Sequence, residues 1–288
     1  MPQTIVVLDF GSQYTQVIAR RIREANVYSK VLPFNTGINE INKINPVGIV
    51  LSGGPASVHS KGAPKPKKEV FNLGIPILGI CYGLQLMGSM LGGEVKKSQL
   101  REYGRGKLTI LKKGLLLKNL PRVLTVWNSH GDCLVSLPKG FKTLAKTENS
   151  SYASIENPEK KFYGLQFHPE VEHSQNGVEI IRNFLFTVCK CKGDWGMDDF
   201  TISSVNEIKR KVGGKKVILG LSGGVDSTVT AVLLSEAIGD NLHCIFVNNG
   251  LLRKNEFEGV LEQYKGMGLN VKGVDASDRF LSALAGVS

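Results

Sequence analysis

Gly79-Ile80-Cys81-Tyr82-Gly83 is the stretch on which the fold turns. Before it, residues 75–80 form an almost unbroken apolar run, as expected of a parallel strand covered on both faces. After it, residues 84–91 have helical spacing. The five residues fit G-x-nucleophile-x-G, the sharp strand-to-helix turn that carries one side chain out at the top of an α/β sheet. The backbone doubles back so tightly there that a Cβ at either glycine would meet a neighbour. Cysteine at the apex reads as a thiolate nucleophile at a helix N-terminus, where the macrodipole favours the anion.

Working outward, residues 5–10, 27–32 and 48–51 read as further strands, with a helix over 13–23. Strands alternating with helices predict a parallel sheet covered on both faces, with its active site beyond the carboxyl ends of the strands. Three such ends carry candidate chemistry: Asp9 to Gln13, Ser52-Gly53-Gly54-Pro55 and the Cys81 turn. Between 107 and 164 the pattern shifts to short alternating runs, which predict an antiparallel extension of the sheet. An amphipathic helix over 178–188 closes this first domain, 1–190, and 191–199 reads as a linker. A second α/β pattern follows over 200–288, with strands at 216–221, 243–247 and 269–274. The chain stops in what reads as mid-domain.

The 288 residues, 42% of them hydrophobic, are enough for two domains with real cores. There is no basic segment followed by a long apolar run at the start, so no signal peptide is expected. No run approaches the roughly 18 apolar residues of a membrane span. Five irregularly spaced cysteines suit a reducing cytoplasm better than a disulfide framework. The net charge of +11 raises the question of nucleic acid, but the lysines are dispersed. The cluster Lys61, Lys65, Lys67, Lys68 lies among Gly62, Pro64 and Pro66 without an aromatic platform, so no nucleic-acid partner is expected. Anionic small substrates account for the surplus equally well.

A thiol nucleophile needs a base, and the base needs a group to hold it. Gly164-Leu165-Gln166-Phe167-His168-Pro169-Glu170 offers both. In an extended segment residues two apart share a side, and Pro169 stiffens the step between them. Glu170 is therefore placed to steady the His168 ring while the ring faces Cys81. The glycines at Gly53 and Gly54 leave backbone N–H groups free for an oxyanion, with the N–H of Tyr82 as second donor. Taken singly, a cysteine or a His-x-Glu is more often structural; their conjunction with the glycine pair favours chemistry.

With those residues in view, the domain resembles the class I, triad-type glutamine amidotransferases. Their elbow is matched by Gly79 to Gln85, and their His-x-Glu pair by His168 and Glu170. The resemblance implies a flavodoxin-like mixed open sheet in which Cys81 attacks the side-chain amide of L-glutamine. His168 passes a proton to the departing ammonia, Glu170 orients His168, and water cleaves the thioester. Trp127-Asn128-Ser129-His130-Gly131-Asp132 is similar to a Ser-His-Gly-Asp segment that lies beside the glutamine pocket in one branch, so Ser129, His130, Gly131, Asp132 and Gln85 are implied as glutamine contacts. His130 also fits a plain polar turn. Arg101-Glu102-Tyr103-Gly104 is typical of the same branch.

In the second domain, Ser222-Gly223-Gly224-Val225-Asp226-Ser227 lies between a strand and a helix. Two glycines, a helix N-terminus and hydroxyls make a phosphate-cradling loop, with Asp226 placed to meet Mg²⁺ carried by the phosphates. A plain Ser/Gly-rich helix cap is the alternative. The loop resembles that of the N-type ATP pyrophosphatases, within the adenine-nucleotide α-hydrolase-like folds, and Phe246 to Arg253 and Asp278 to Gly286 extend the likeness. Where that family has Asp-Asn-Gly, this chain has Asn248-Asn249-Gly250.

An amidotransferase followed by this domain is the arrangement of the glutamine-hydrolysing GMP synthetase family. It implies ATP, Mg²⁺ and XMP as substrates, no tightly bound cofactor, and a homodimer built on a domain outside this sequence. A freestanding glutaminase and a non-catalytic module that binds glutamine or ATP are the rival expectations. Cys133, Cys189, Cys191, Cys244, His59, His173 and His243 are assigned no role.

Overall fold

The computed structural model describes residues 2–287, apart from the side chains of Gln99 and Asp199. Two compact units divide the chain, Met1–Trp195 and Gly196–Ser288.

In the first unit, β1 (Thr4–Asp9), α1 (Thr15–Glu24), β2 (Tyr28–Pro33), α2 (Ile38–Ile44), β3 (Gly48–Leu51), β4 (Ile77–Ile80) and α3 (Tyr82–Met90) form the alternating half. They are followed by β5 (Glu94–Ile110), β6 (Val123–Ser136), β7 (Lys142–Lys146), β8 (Ser154–Asn157), β9 (Phe162–Leu165) and α4 (Gly177–Arg182), which runs on as a π-type turn through Asn183–Val188. The nine strands make one mixed sheet in the order β2-β1-β3-β4-β9-β8-β7-β5-β6. Pairing is parallel from β2 across to β9 and antiparallel beyond it.

β1, β3, β4 and β9 are almost wholly buried, which is why their sequences are apolar runs and not alternations. Two apolar layers cover the sheet: one includes Ile18, Ile22, Val50, Leu78 and Phe184, and the other Leu51, Ile77, Leu84, Met87 and Phe162. Of the short runs expected over 107–164, those at 108–111 and 124–127 are parts of longer strands, while those at 143–146 and 162–165 fall on the short strands β7 and β9. β5 and β6 form a hairpin of 17- and 14-residue strands, irregular between Lys97 and Glu102. β6 stands at the edge of the sheet.

The boundary between the units falls inside 191–199, and the part before it packs on the first unit. Cys191 and Trp195 are buried in the first unit, the Trp195 N–H donates to the Asn26 carbonyl at 3.0 Å, and the indole packs on Tyr28. The next helix already begins at Met197. The segment is irregular, as its composition suggested, but the side chains at 191 and 195 are docked.

The second unit comprises α5 (Met197–Val212), β10 (Val217–Leu221), α6 (Val225–Ile238), β11 (Leu242–Asn248), α7 (Glu256–Gly266), β12 (Val271–Asp275) and α8 (Ser277–Leu284). Its three strands pair in parallel in the order β10-β11-β12. Leu221, Ala231, Leu242, Cys244, Phe246 and Tyr264 form its core.

Candidate active site

Cys81 stands between β4 and α3 with φ 52° and ψ −105°. A non-glycine residue held there costs on the order of 1–3 kcal/mol, so its surroundings must over-determine it. Three contacts do so. The Cys81 N–H donates to the Leu165 carbonyl at 2.7 Å, its carbonyl accepts from the Gln85 N–H, and both flanking glycines are packed solid. A Cβ on Gly79 would stand 2.6 Å from the carbonyl carbon of Gly83, and one on Gly83 would collide with the backbone of Leu51.

The tie to Leu165 also brings in the base, because β9 leads straight to His168. Nδ1 of His168 lies 2.7 Å from Oε1 of Glu170, and the Glu170 side chain is fully buried. The carboxylate accepts the Nδ1 proton, which turns Nε2 toward the Cys81 thiol. Burial works against charge on His168. The hydrogen bonds and charges of Cys81 and Glu170 outweigh it and hold the imidazole well above its ordinary pKa. Tyr14 packs edge-on against the ring at 5.1 Å between centroids, and Arg21 Nε donates to the Glu170 carbonyl at 3.0 Å.

A cavity of about 580 Å³ opens over these groups. Cys81, Tyr82, His168, Gly54, Gln85 and the Ser129–Asp132 segment contribute to its lining. Tyr82 is the first residue of α3, so its N–H has no intrahelical acceptor. Gly53 is not in the lining. A Cβ there would stand 3.0 Å from Cε1 of His168, so Gly53 makes room for the ring.

The remaining wall is the free edge of β6. The Trp127 carbonyl accepts from the His168 N–H at 2.9 Å, the Ser129 carbonyl from the Cys81 thiol at 3.6 Å, and the Asp132 carbonyl from Gln85 Nε2 at 2.7 Å. Gln85 Nε2 also lies 3.4 Å from Gln166 Oε1, and Gln166 Nε2 lies 3.9 Å from Cys81 Sγ. Along β6 the residues at 124, 126, 128 and 130 are buried and those between are half-buried. The His130 side chain accordingly points into the protein, 2% exposed, with Nε2 3.0 Å from Glu102 Oε2. A loose turn residue does not describe that ring, although His130 belongs to the cavity wall.

Several contacts lay beyond the sequence reading. Gln166 sits two positions before His168, in register for the same side, but inside an otherwise apolar run. Ser174 Oγ donates to the His168 carbonyl at 2.5 Å and accepts from the Trp127 N–H at 2.9 Å, fastening the His168 loop to β6. Nothing in the letters marks that serine.

In the second unit the loop at Ser222 is exposed. Gly223 has φ +79°, the Gly224 N–H donates to Ser222 Oγ at 3.3 Å, and the two serine hydroxyls lie 3.1 Å apart. Thr228 Oγ1 donates to the Gly224 carbonyl at 2.8 Å and meets the hydroxyl of buried Tyr264 at 3.0 Å. Val225 and Asp226 open α6 on the solvent side. This is a helix N-terminus with polar lining, a fit for an anionic phosphate group. After β11, Asn248 Oδ1 accepts from the Gly250 N–H at 2.9 Å, a role that an amide fills as well as a carboxylate.

Among known proteins, residues 6–188 match the glutamine amidotransferase class-I family and residues 200–285 match NAD synthase. A GMP synthase [glutamine-hydrolyzing] of Syntrophomonas wolfei is 52% identical over 99% of this chain, and one of Caldanaerobacter subterraneus is 55% identical over 99%. The chain spans about 56% of the length of each. A solved structure from Thermoplasma acidophilum, described as a candidate subunit of GMP synthase, is 32% identical with a TM-score of 0.60. The match covers 66% of this chain and 95% of that one.

Proposed function

The chain belongs to the class-I glutamine amidotransferase family, and from that premise we propose that its first unit hydrolyses L-glutamine at Cys81. The Cys81 sulfur attacks the side-chain carboxamide carbon, His168 having taken the thiol proton. The developing oxyanion is met by backbone N–H groups of Tyr82 and Gly54. Protonated His168 then gives its proton to the leaving nitrogen, ammonia departs, and a γ-glutamyl thioester remains on Cys81. A water attacks that thioester with His168 as base, and glutamate leaves as the thiol re-forms. Glu170 keeps the Nδ1 proton in place through both halves, so that Nε2 is the working nitrogen. The His168–Glu170 contact of 2.7 Å, on a ring whose other partner is the Cys81 thiol, carries this reading.

For the whole enzyme we infer a glutamine-hydrolysing GMP synthase of the cytoplasm. The relatives are named GMP synthase [glutamine-hydrolyzing], and the second unit carries a loop suited to the phosphates of ATP. Ser222, Gly223, Gly224 and Ser227 would receive the phosphates. Asp226 would act as the single carboxylate facing a phosphate-borne Mg²⁺, the ordinary way such ions are held. ATP would activate XMP, and ammonia from the first site would displace AMP to give GMP. No helix among the described residues is long and apolar enough to cross a membrane.

Ammonia release from glutamine, compared between the chain and Cys81→Ala, tests the first step. Release should vanish in the variant, and equal release in both would refute the assignment. Supplying XMP, Mg-ATP and ammonium and looking for GMP decides between a complete synthase and an uncoupled glutaminase.

A further inference from the structure

His130 of the cavity wall forms, with Glu102 behind it, a second histidine–glutamate pair that the steps above do not use. Glu102 lies directly across the hairpin from His130 in strand register. Both residues are more than nine-tenths buried, and Nε2 of His130 is 3.0 Å from Oε2 of Glu102. Apart from Glu102, neither ring nitrogen has a partner among the described residues. Thr147 Oγ1 donates to the same Oε2 at 3.0 Å. Burial pushes the Glu102 carboxyl up, but His130, Thr147 and the Asn149 N–H pull it below its usual range, so it stays ionised.

This pair stands where the hairpin most needs an anchor. Between the Lys97–Asp132 and Glu102–His130 pairings, β5 spends Ser98 to Arg101 where β6 spends only Gly131. A glycine beside a bulge is the most pliable point of a strand. That same point carries the Ser129 carbonyl, on which the Cys81 thiol rests at 3.6 Å, and the Gly131 backbone in the cavity wall. As an edge strand, β6 has no neighbouring strand on this side among the described residues, and the loop after His168 bonds it at Thr125 and Trp127, short of this point. The ring and carboxylate are buried beside this point, with Thr147 bonded to the carboxylate.

Resting on the glutaminase reading above, we propose that Glu102 is a positioning residue. Through His130, and with Thr147 behind it, Glu102 holds the β6 edge at Ser129–Gly131 in the geometry that seats the amide substrate over Cys81. It touches neither the substrate nor the sulfur.

The test is steady-state ammonia release from glutamine by the full chain, Glu102→Gln and Thr147→Val, with thermal melting and iodoacetamide alkylation of Cys81 in parallel. Iodoacetamide is small and needs no seat on the β6 edge. Glu102→Gln is expected to raise KM for glutamine about tenfold, keep kcat within about threefold, and leave the alkylation rate unchanged. Thr147→Val should raise KM about two- to threefold. KM unmoved in both variants overturns the inference, as does a fall in kcat and alkylation in step with the rise in KM, which would mark a general loss of structure. Should Glu102→Gln fail to fold by melting, Thr147→Val decides alone. A wild-type chain releasing no ammonia would overturn the glutaminase reading and this inference with it, whereas release with unmoved KM overturns only the inference.

Discussion

The turns at Cys81 and at Ser222 share one plan, strand into turn into helix at the carboxyl end of a parallel strand, yet their settings differ. At Cys81 the strand is buried along its whole length, and α3 is buried from Tyr82 to Gly88. At Ser222 the strand alternates, with Ile218 73% exposed, and α6 shows Val225, Val229 and Val232 to solvent. The first turn holds a side chain in a backbone conformation that only dense packing sustains. The second presents backbone N–H groups and hydroxyls, which need no such enclosure to meet an anion. Covalent catalysis requires several groups fixed against one another, whereas phosphate binding asks mainly for free donors at a helix end.

Several experiments press on that contrast, and the largest effect belongs to the triad. Replacing His168 with Gln should lower ammonia release by about 10³-fold or more, because base, acid and thiolate partner go together. A change at Ser222 should leave glutamine hydrolysis by comparison near wild type. Equal losses at the two positions would erase the distinction.

Glu170→Gln should cost about 10²-fold or more in rate and shift the pH response. Glu170 helps to raise the His168 pKa, so the amide should lower it. Because that folded-state pKa is raised, the charged ring stabilises the fold fully below the ring's unfolded value of about 6.5. That stabilisation is lost as pH climbs through the raised folded value. The variant's curve of melting temperature against pH should flatten over that window, and an unchanged curve would count against the coupling.

Next come the glycines. Gly83→Ala must push into the Leu51 backbone and is expected to cost about 1–3 kcal/mol or more, measured by denaturation. Gly224→Ala meets only the Ser222 hydroxyl at 3.3 Å, the end of a short side chain on an exposed loop, and should cost less than about 1 kcal/mol. The mildest expectation is kinetic. Amides of Val217–Leu221 should exchange hydrogen faster than those of Ile77–Ile80. The reverse order would mean that the exposed strand is the more stable one.

The parallel half of the first unit was legible because buried strands leave unbroken apolar runs; residues 48–51 fall on β3 as observed. The elbow was legible because its glycines have a steric reason that survives translation into letters. The hairpin was not. Polar residues from Glu94 to Lys107 and a four-for-one bulge break the period-two signal, although 124–130 of β6 keep it. α2 spans only seven residues, too short for periodicity to register. Cys81, His168 and Glu170, far apart in the chain, meet because β4 and β9 are neighbours, a fact of topology. Ser129 was singled out, but the atom that reaches Cys81 is its carbonyl oxygen, which every residue carries. Backbone contacts of that kind leave no trace in composition.

One sulfur is the reactive one because of where it is held. The direct measurement is peptide-mapped alkylation of the chain by a γ-carbonyl glutamine analogue such as a diazoketone, with and without glutamine, in wild type and His168→Gln. The label should fall on Cys81, be slowed by glutamine and nearly stop without the imidazole, while Cys133, Cys189, Cys191 and Cys244, whose pKa values burial pushes up, stay unmodified as thiols. Label on any of those four in place of Cys81, or a Cys81 rate indifferent to residue 168, would contradict it.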